Sequence, residues 1–215
     1  MKILITGTSR GIGKKIAEKF LANGHFVYGF DILESEIKHN NYQHYILDIY
    51  QDELPELSDI DIVINNAGVQ TNTEKDINTN LLGLIRITEK YCIGNLKLKS
   101  LLNNASVSAT NGAEFPYYAA SKGGVLAYTK NTALRLPYAT VNSISPGGVI
   151  TNSNSHILND KEKYQAVLKE TIMGKWATEE EIADLAYFLT VTNKSITGQD
   201  IIIDNGEILK SNFIW

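Results

Sequence analysis

The chain carries a single cysteine, Cys92, among its 215 residues. One thiol makes no internal disulfide and offers no cysteine framework for zinc, so a stapled secreted fold is excluded and a reducing compartment is expected. No apolar run approaches the roughly 18 residues that a membrane-crossing helix requires. No Lys/Arg block exceeds a pair, and the formal net charge is −4. A mildly acidic chain without basic clusters argues against nucleic acid or an anionic membrane as its main partner. The four histidines, His25, His39, His44 and His156, show no metal-ligand spacing; they read as surface or strand residues, and no metal is expected. Repeats, low-complexity tracts and linkers are also missing, which leaves one domain over residues 1–215. The opening Met1-Lys2-Ile3-Leu4-Ile5-Thr6-Gly7 has too short an apolar stretch for a signal sequence and reads as a first strand. A soluble, cytoplasmic protein is the expectation.

What is present is a regular alternation. Short β-branched runs at Lys2–Thr6, Phe26–Phe30, Tyr45–Leu47, Ile60–Ile64, Leu98–Asn104, Thr140–Ser145 and Ile201–Ile203 are separated by helical patterns. This is the signal for βαβ units: an α/β fold, a doubly wound, Rossmann-type parallel sheet with helices on both faces. Helices are predicted over Gly11–Asn23, Gln51–Leu57, Lys75–Ile93, Tyr117–Leu136 and Glu179–Val191, the last opened by the capping box Thr178-Glu179-Glu180-Glu181. Residues 151–176 are polar and weakly patterned. They read as a mobile substrate flap containing one helix, Lys161–Thr171.

The chemistry concentrates at the ends of the strands. Thr6-Gly7-Thr8-Ser9-Arg10-Gly11-Ile12-Gly13 joins the first strand to the first helix. Glycines there let backbone approach a diphosphate, which an N-terminal helix end attracts. Asp31 closes the second strand, where a carboxylate accepts from an adenosine ribose or simply ends a turn. Tyr118 and Lys122 lie four apart and so share one helix face. A neighbouring ammonium lowers a phenol toward the range useful for proton transfer, although such a pair is also common in helices. Ser106 follows a strand and reaches the same region, with Ser108 as its competitor. Asn80 sits inside an apolar helical run, an unfavourable place unless its side chain finds a partner.

Together these motifs resemble the short-chain dehydrogenase/reductase family, in its single-domain form, over nearly the whole chain from Lys2 to Gly206. Thr6–Gly13 resembles the family's cofactor turn, placing Gly7, Ser9, Arg10, Gly11, Ile12 and Gly13 there. Asp48 and Ile49 resemble its adenine pair, and Asn65-Asn66-Ala67-Gly68 its Asn-Asn-Ala-Gly run, placing Asn66, Ala67 and Gly68 against the cofactor. Tyr118-Ala119-Ala120-Ser121-Lys122 matches Tyr-x-x-x-Lys. Pro146, Gly147, Val149 and Thr151 fall in the segment around the nicotinamide.

The resemblance implies an NAD(P)-dependent oxidoreductase acting on a small secondary alcohol or ketone, with a 3-oxoacyl thioester as one candidate. Tyr118 exchanges the proton, Lys122 lowers its pKa and holds the nicotinamide ribose, Ser106 binds the substrate oxygen, and Asn80 anchors a water. Asp31 and Glu34 against Arg10 favour NAD over NADP. Leu82, Ile87, Ala127 and Ala133 on two helices suggest a homodimer or homotetramer. A regulatory or scaffold protein that binds the dinucleotide without turnover is the alternative; the complete Asn80, Ser106, Tyr118 and Lys122 set argues against it. The segments Asp48–Asn65 and Gly68–Asn80 are shorter than the family's, and Asn205 stands where glycine is usual.

Overall fold

The computed structural model describes residues 1–209. Its strands are β1 (Lys2–Thr6), β2 (Phe26–Asp31), β3 (Tyr42–Ile46), β4 (Ile62–Asn65), β5 (Ser100–Asn104), β6 (Thr140–Pro146), β7 (Val149–Ile150), β8 (Ala177–Thr178) and β9 (Asp200–Ile203). Seven of them form one all-parallel sheet in the order β3-β2-β1-β4-β5-β6-β9. The helices are α1 (Gly11–Ala22), α2 (Glu74–Ile77), α3 (Leu84–Tyr91), α4 (Ser108–Asn111), α5 (Pro116–Arg135), α6 (Ser155–Leu158), α7 (Lys161–Leu168) and α8 (Glu179–Tyr187).

The inner strands are covered on both faces, which explains their lack of polar alternation: Ile3, Leu4 and Ile5 of β1 are all fully buried. On one face α1 lays Ile16, Ala17 and Phe20 beside Ile182, Ala183 and Ala186 of α8. On the other, Ile87 and Tyr91 of α3 join Leu4, Val63 and Leu101. Each fully buried Leu, Ile or Phe contributes about 1.5–3 kcal/mol. Chain order reverses between β1 and β4, so a crevice opens at the C-terminal ends of these strands, where doubly wound sheets bind ligands.

Several expectations change: the last helix ends at Tyr187 and passes into a π-helical segment, Phe188–Thr192, and the flap holds α6 as well as α7. No helix forms at Gln51–Leu57. Pro55 interrupts that stretch, and carbonyls in it and just before it are met by side chains from α3 instead: Arg86 donates to Ile49 O, Tyr50 O and Asp52 O, Lys90 to Leu54 O, and Tyr91 to Pro55 O. The single helix expected at Lys75–Ile93 is α2 and α3 joined by a π-helical segment, Asn78–Gly83. Gly83 is required there, since a Cβ would lie 2.8 Å from Ile49 Cγ1. In the flap α7 stops at Leu168, where Thr171 Oγ1 donates back to Leu168 O at 2.9 Å. Asn205 adopts φ +55, so it fills a left-handed position that asparagine tolerates better than most residues. No helix among the described residues is long and apolar enough to cross a membrane.

Candidate active site

The turn after β1 is built around two left-handed glycines, Gly7 (φ +77) and Gly11 (φ +61). Gly13 has no room for any side chain: a Cβ would stand 2.0 Å from Gly7 O and 2.4 Å from Asn66 Nδ2. This packs the start of α1 against the turn and aims its free N–H groups into the crevice. A Cβ at Gly11 would meet nothing nearer than Glu179 Oε1 at 3.9 Å. The glycine turn and the helix N-terminus therefore fit a dinucleotide diphosphate.

Asp31 ends β2 beside this turn. Its carboxylate accepts from Ser9 N at 2.9 Å and Leu33 N at 3.0 Å. The Ser9 hydroxyl donates to Leu33 O at 2.9 Å. Arg10 is exposed at the helix entrance. Asp48 accepts from Tyr50 N at 2.8 Å, and Ile49 is buried against Gly83.

A chain of amides runs from the turn into the crevice. Asn66 Nδ2 donates to Thr6 O (3.1 Å) and Gly7 O (3.3 Å), and Asn104 Nδ2 donates to Asn66 Oδ1 (3.0 Å). Thr6 Oγ1 accepts from Asn66 N and Ala67 N, both at 3.0 Å. Gly68 is exposed at the end of this run. Lys122 Nζ reaches back from α5 to donate to Asn104 O at 2.7 Å. Beneath, Asn65 Nδ2 donates to Thr88 Oγ1 and Asn103 Oδ1, and Asn103 Nδ2 to Thr129 Oγ1, tying β4 and β5 to both flanking helices.

Asn80 finds its partners. Its side chain accepts from Val69 N at 2.7 Å and donates to Val69 O and to Ser121 Oγ at 2.8 and 3.1 Å. The amide fixes the loop after Gly68 to α5.

Ser106, Tyr118 and Lys122 come together at the end of β5 and the start of α5. Lys122 Nζ lies 5.7 Å from the Tyr118 ring centroid, Ser106 and Lys122 are buried, and Tyr118 is partly exposed. Ser106 Oγ accepts from Ser108 N at 3.3 Å, which leaves its own proton free for a neighbour. Ser108 is buried too, but serves here through its backbone.

The expected lowering of Tyr118 by Lys122 gives way to the opposite balance. Burial, then the Glu114 carboxylate, push Tyr118 up to about 12, and the Ser106 hydroxyl is the neighbour that pulls it down. Burial lowers Lys122 to about 8, against an upward pull from Glu114. Glu114 is a residue the sequence did not reveal. It precedes Phe115 at φ +73 and accepts from Gln70 across the mouth of the crevice.

The nicotinamide-side segment follows β6. Pro146 pairs with Ile203, Gly147 N donates to Ile203 O at 3.1 Å, and Gly148 N donates to Glu207 Oε2 at 3.1 Å. Val149 pairs with Ala177, and Ile150 with Thr178, so β7 and β8 close the base of the flap. Thr151 stands at its first residue, partly exposed. Trp176 fits under Gly148, where a Cβ would meet Trp176 Nε1 at 2.2 Å.

The family model described as enoyl-(acyl carrier protein) reductase matches residues 43–207. The chain is a short-chain dehydrogenase/reductase. This enzyme is an oxidoreductase of CH–OH and C=O groups that uses a nicotinamide dinucleotide. The chain is 32% identical over 242 residues to the 3-oxoacyl-[acyl-carrier-protein] reductase of Chlamydia pneumoniae, covering 95% of this chain and 96% of that one. Those aligned positions outnumber the chain's own residues, in keeping with its shortened loops. Among solved structures, 4-hydroxyisoleucine dehydrogenase complexed with NADH and succinate, in a mutant form, superposes with a TM-score of 0.88 (24% identity; 99% of this chain, 100% of that one). ElxO with NADP bound gives 0.86 (23% identity; 97% and 99%).

Proposed function

We propose that the enzyme reduces the keto group of a 3-oxoacyl thioester with NADH, and that Tyr118 supplies the proton. The observation that carries the chemistry is the convergence of Ser106, Tyr118 and Lys122 at one end of β5, with Lys122 anchored on Asn104 O at 2.7 Å. The substrate class is supported by the 3-oxoacyl reductases among its relatives and by exposed apolar side chains on the segments bordering the crevice, Phe115, Ile150, Ile172 and Met173.

When bound, the nicotinamide supplies the hydride; Gly7 to Gly13, Asp31, Asp48, Ile49 and Asn66 to Gly68 would hold the rest of the dinucleotide, and Pro146, Gly147, Val149 and Thr151 its nicotinamide end. Ser106 donates its free proton to the substrate oxygen, stabilising the charge that develops there. Tyr118, protonated at neutral pH because burial holds it near 12, releases its proton to that oxygen. The Lys122 ammonium then faces the phenolate left behind. The flap from Asn152 to Trp176 closes over the substrate and excludes water.

The preference for NADH is supported by Asp31, a carboxylate at the end of β2 beside the glycine turn, which would meet a 2′-phosphate bound there. Unit charges at 4 Å and an effective dielectric near 20 repel by about 4 kcal/mol before counterions and rearrangement. The π-helical segment ahead of α3 exposes Leu82, and α5 exposes Ala127 and Leu134, which supports a homodimer or homotetramer. Ile87 and Ala133 belong to the core and contribute nothing to that face.

The test is reduction of acetoacetyl-CoA with NADH and with NADPH, followed by absorbance, for wild type and Asp31→Ala, with glucose oxidation as the competing assay. Turnover of the thioester with NADH favoured, and a ratio that shifts toward NADPH in the variant, is expected. Glucose oxidation alone, or an unchanged ratio, refutes the corresponding half. Light scattering that gives a monomer mass across micromolar concentrations refutes the oligomer.

A further inference from the structure

His44 on β3 belongs to a closed ring of hydrogen bonds around the turn that presents Asp31. Its Nε2 lies 2.8 Å from Leu33 O, and its Nδ1 lies 2.9 Å from the Tyr42 hydroxyl. That hydroxyl in turn lies 2.9 Å from Thr8 Oγ1, inside the glycine turn. Leu33 O also accepts from the Ser9 hydroxyl, while Leu33 N and Ser9 N both donate to Asp31. Tyr42 reaches Thr8 by crossing Gly29 in the middle of β2, where a Cβ would stand 2.3 Å from the phenol oxygen. A glycine inside a strand marks this kind of close approach.

The partners fix the direction of each bond. A carbonyl only accepts, so His44 Nε2 carries a proton. In the neutral ring Nδ1 then accepts from Tyr42, and Thr8 donates to Tyr42. In the charged ring Nδ1 donates to Tyr42, the phenol proton turns to Thr8, and the Thr8 proton is released into the turn.

We propose that His44 is a positioning and selecting residue for the 2′ position of the bound adenosine. In its neutral form it holds the Ser9–Asp31–Leu33 turn so that the carboxylate faces ribose hydroxyls. In its charged form it sets a cation against Leu33 O, in the turn that carries that carboxylate, and admits a 2′-phosphate. The charged and titratable groups on the elements around it are Asp31 at the end of β2, Glu34, Glu36, Lys38 and His39 on the following loop, Tyr42 on β3, and Arg10 and Lys14 at the start of α1; Lys14 is paired with Glu36 at 2.9 Å. This inference rests on the placement of the cofactor's ribose at Asp31.

The test is calorimetric binding of ADP-ribose and 2′-phospho-ADP-ribose to wild type, His44→Ala and His44→Gln between pH 5.5 and 8, with melting curves to confirm folding. Gln keeps an amide donor for Leu33 O but gains no charge. At pH 8 His44→Ala should bind ADP-ribose about fivefold more weakly than wild type, and His44→Gln should recover most of that loss. The preference for ADP-ribose should narrow on acidification about fivefold more in wild type than in His44→Gln. A free 2′-phosphate loses charge over the same range in every variant, so this difference between proteins isolates His44. Equal pH dependence in the two proteins, or unchanged ADP-ribose affinity in His44→Ala, overturns the proposal. A wild type that prefers 2′-phospho-ADP-ribose at pH 8 overturns the ribose placement instead, and the comparison between variants keeps the two failures apart.

Discussion

Asn104 is bonded through its side-chain amide to Asn66 Oδ1 at 3.0 Å, and its carbonyl oxygen receives the Lys122 ammonium. One residue thus connects the glycine turn to the buried lysine. Asn104→Ala removes the amide and keeps the carbonyl. A lost side-chain hydrogen bond of this kind costs about 0.5–1.5 kcal/mol, so cofactor affinity measured by NADH fluorescence should fall about 2–10-fold, with a smaller change in kcat. A fall in kcat alone would contradict the coupling.

Tyr118→Phe keeps the ring that Lys122 faces and deletes the transferable proton. Turnover should drop by about 10²–10⁴-fold, the usual worth of a positioned acid. NADH affinity and melting temperature should stay near wild type. Near-wild-type turnover with cofactor binding intact would remove Tyr118 from the chemistry.

Burial lowers Lys122 from 10.5 to about 8. Between those values the unfolded chain holds a proton that the folded chain has released, so stability rises with pH across that window. Below pH 8 both states are charged, and the buried ammonium costs the fold about 3 kcal/mol. Urea unfolding should show wild type gaining on Lys122→Met by about that amount between pH 7.5 and 10.5. A constant difference would refute the shift. Reductive turnover should decline above about pH 8, as the cation facing Tyr118 is lost.

Gly148→Ala places a methyl where the Trp176 indole lies. Overpacking of this kind costs about 1–3 kcal/mol, and here it should be relieved by displacing Trp176 and loosening the flap. In a Trp215→Phe background, indole emission should shift to the red and KM should rise more than kcat falls. Unchanged emission would show that the backbone yields instead.

Most of the fold was legible because it rests on local pattern. Ile3 to Ile5 and Ile62 to Ile64 are apolar without alternation, as strands covered on both faces must be. The capping box at Thr178 and Glu181 formed as written. What escaped depends on partners distant in sequence. The stretch from Gln51 to Leu57 forms no helix, with Arg86, Lys90 and Tyr91 satisfying the carbonyls of Asp52, Leu54 and Pro55, and nothing within the stretch announces this.

The candidate site divides in the same way. Asn80 was legible as a residue in need of a partner, but the π-helical turn that delivers it was not. Glu114 gave no signal at all: its effect on Tyr118 comes from a left-handed residue stretching the loop ahead of α5. His44 had one faint signal, its i, i+2 spacing from Tyr42, which puts both on one face of β3 opposite the glycine of β2.

The two-residue pairing of Val149 with Ala177 and Ile150 with Thr178 makes residues 151–176 a cassette. Both ends are pinned to each other before the excursion begins, so the segment after β6 is held in place whatever the insert contains. Doubling the length of a flexible closed loop adds only about 0.6 kcal/mol. The stretch between Thr151 and Trp176 can therefore change in length and sequence while the strand that leads into it keeps its place.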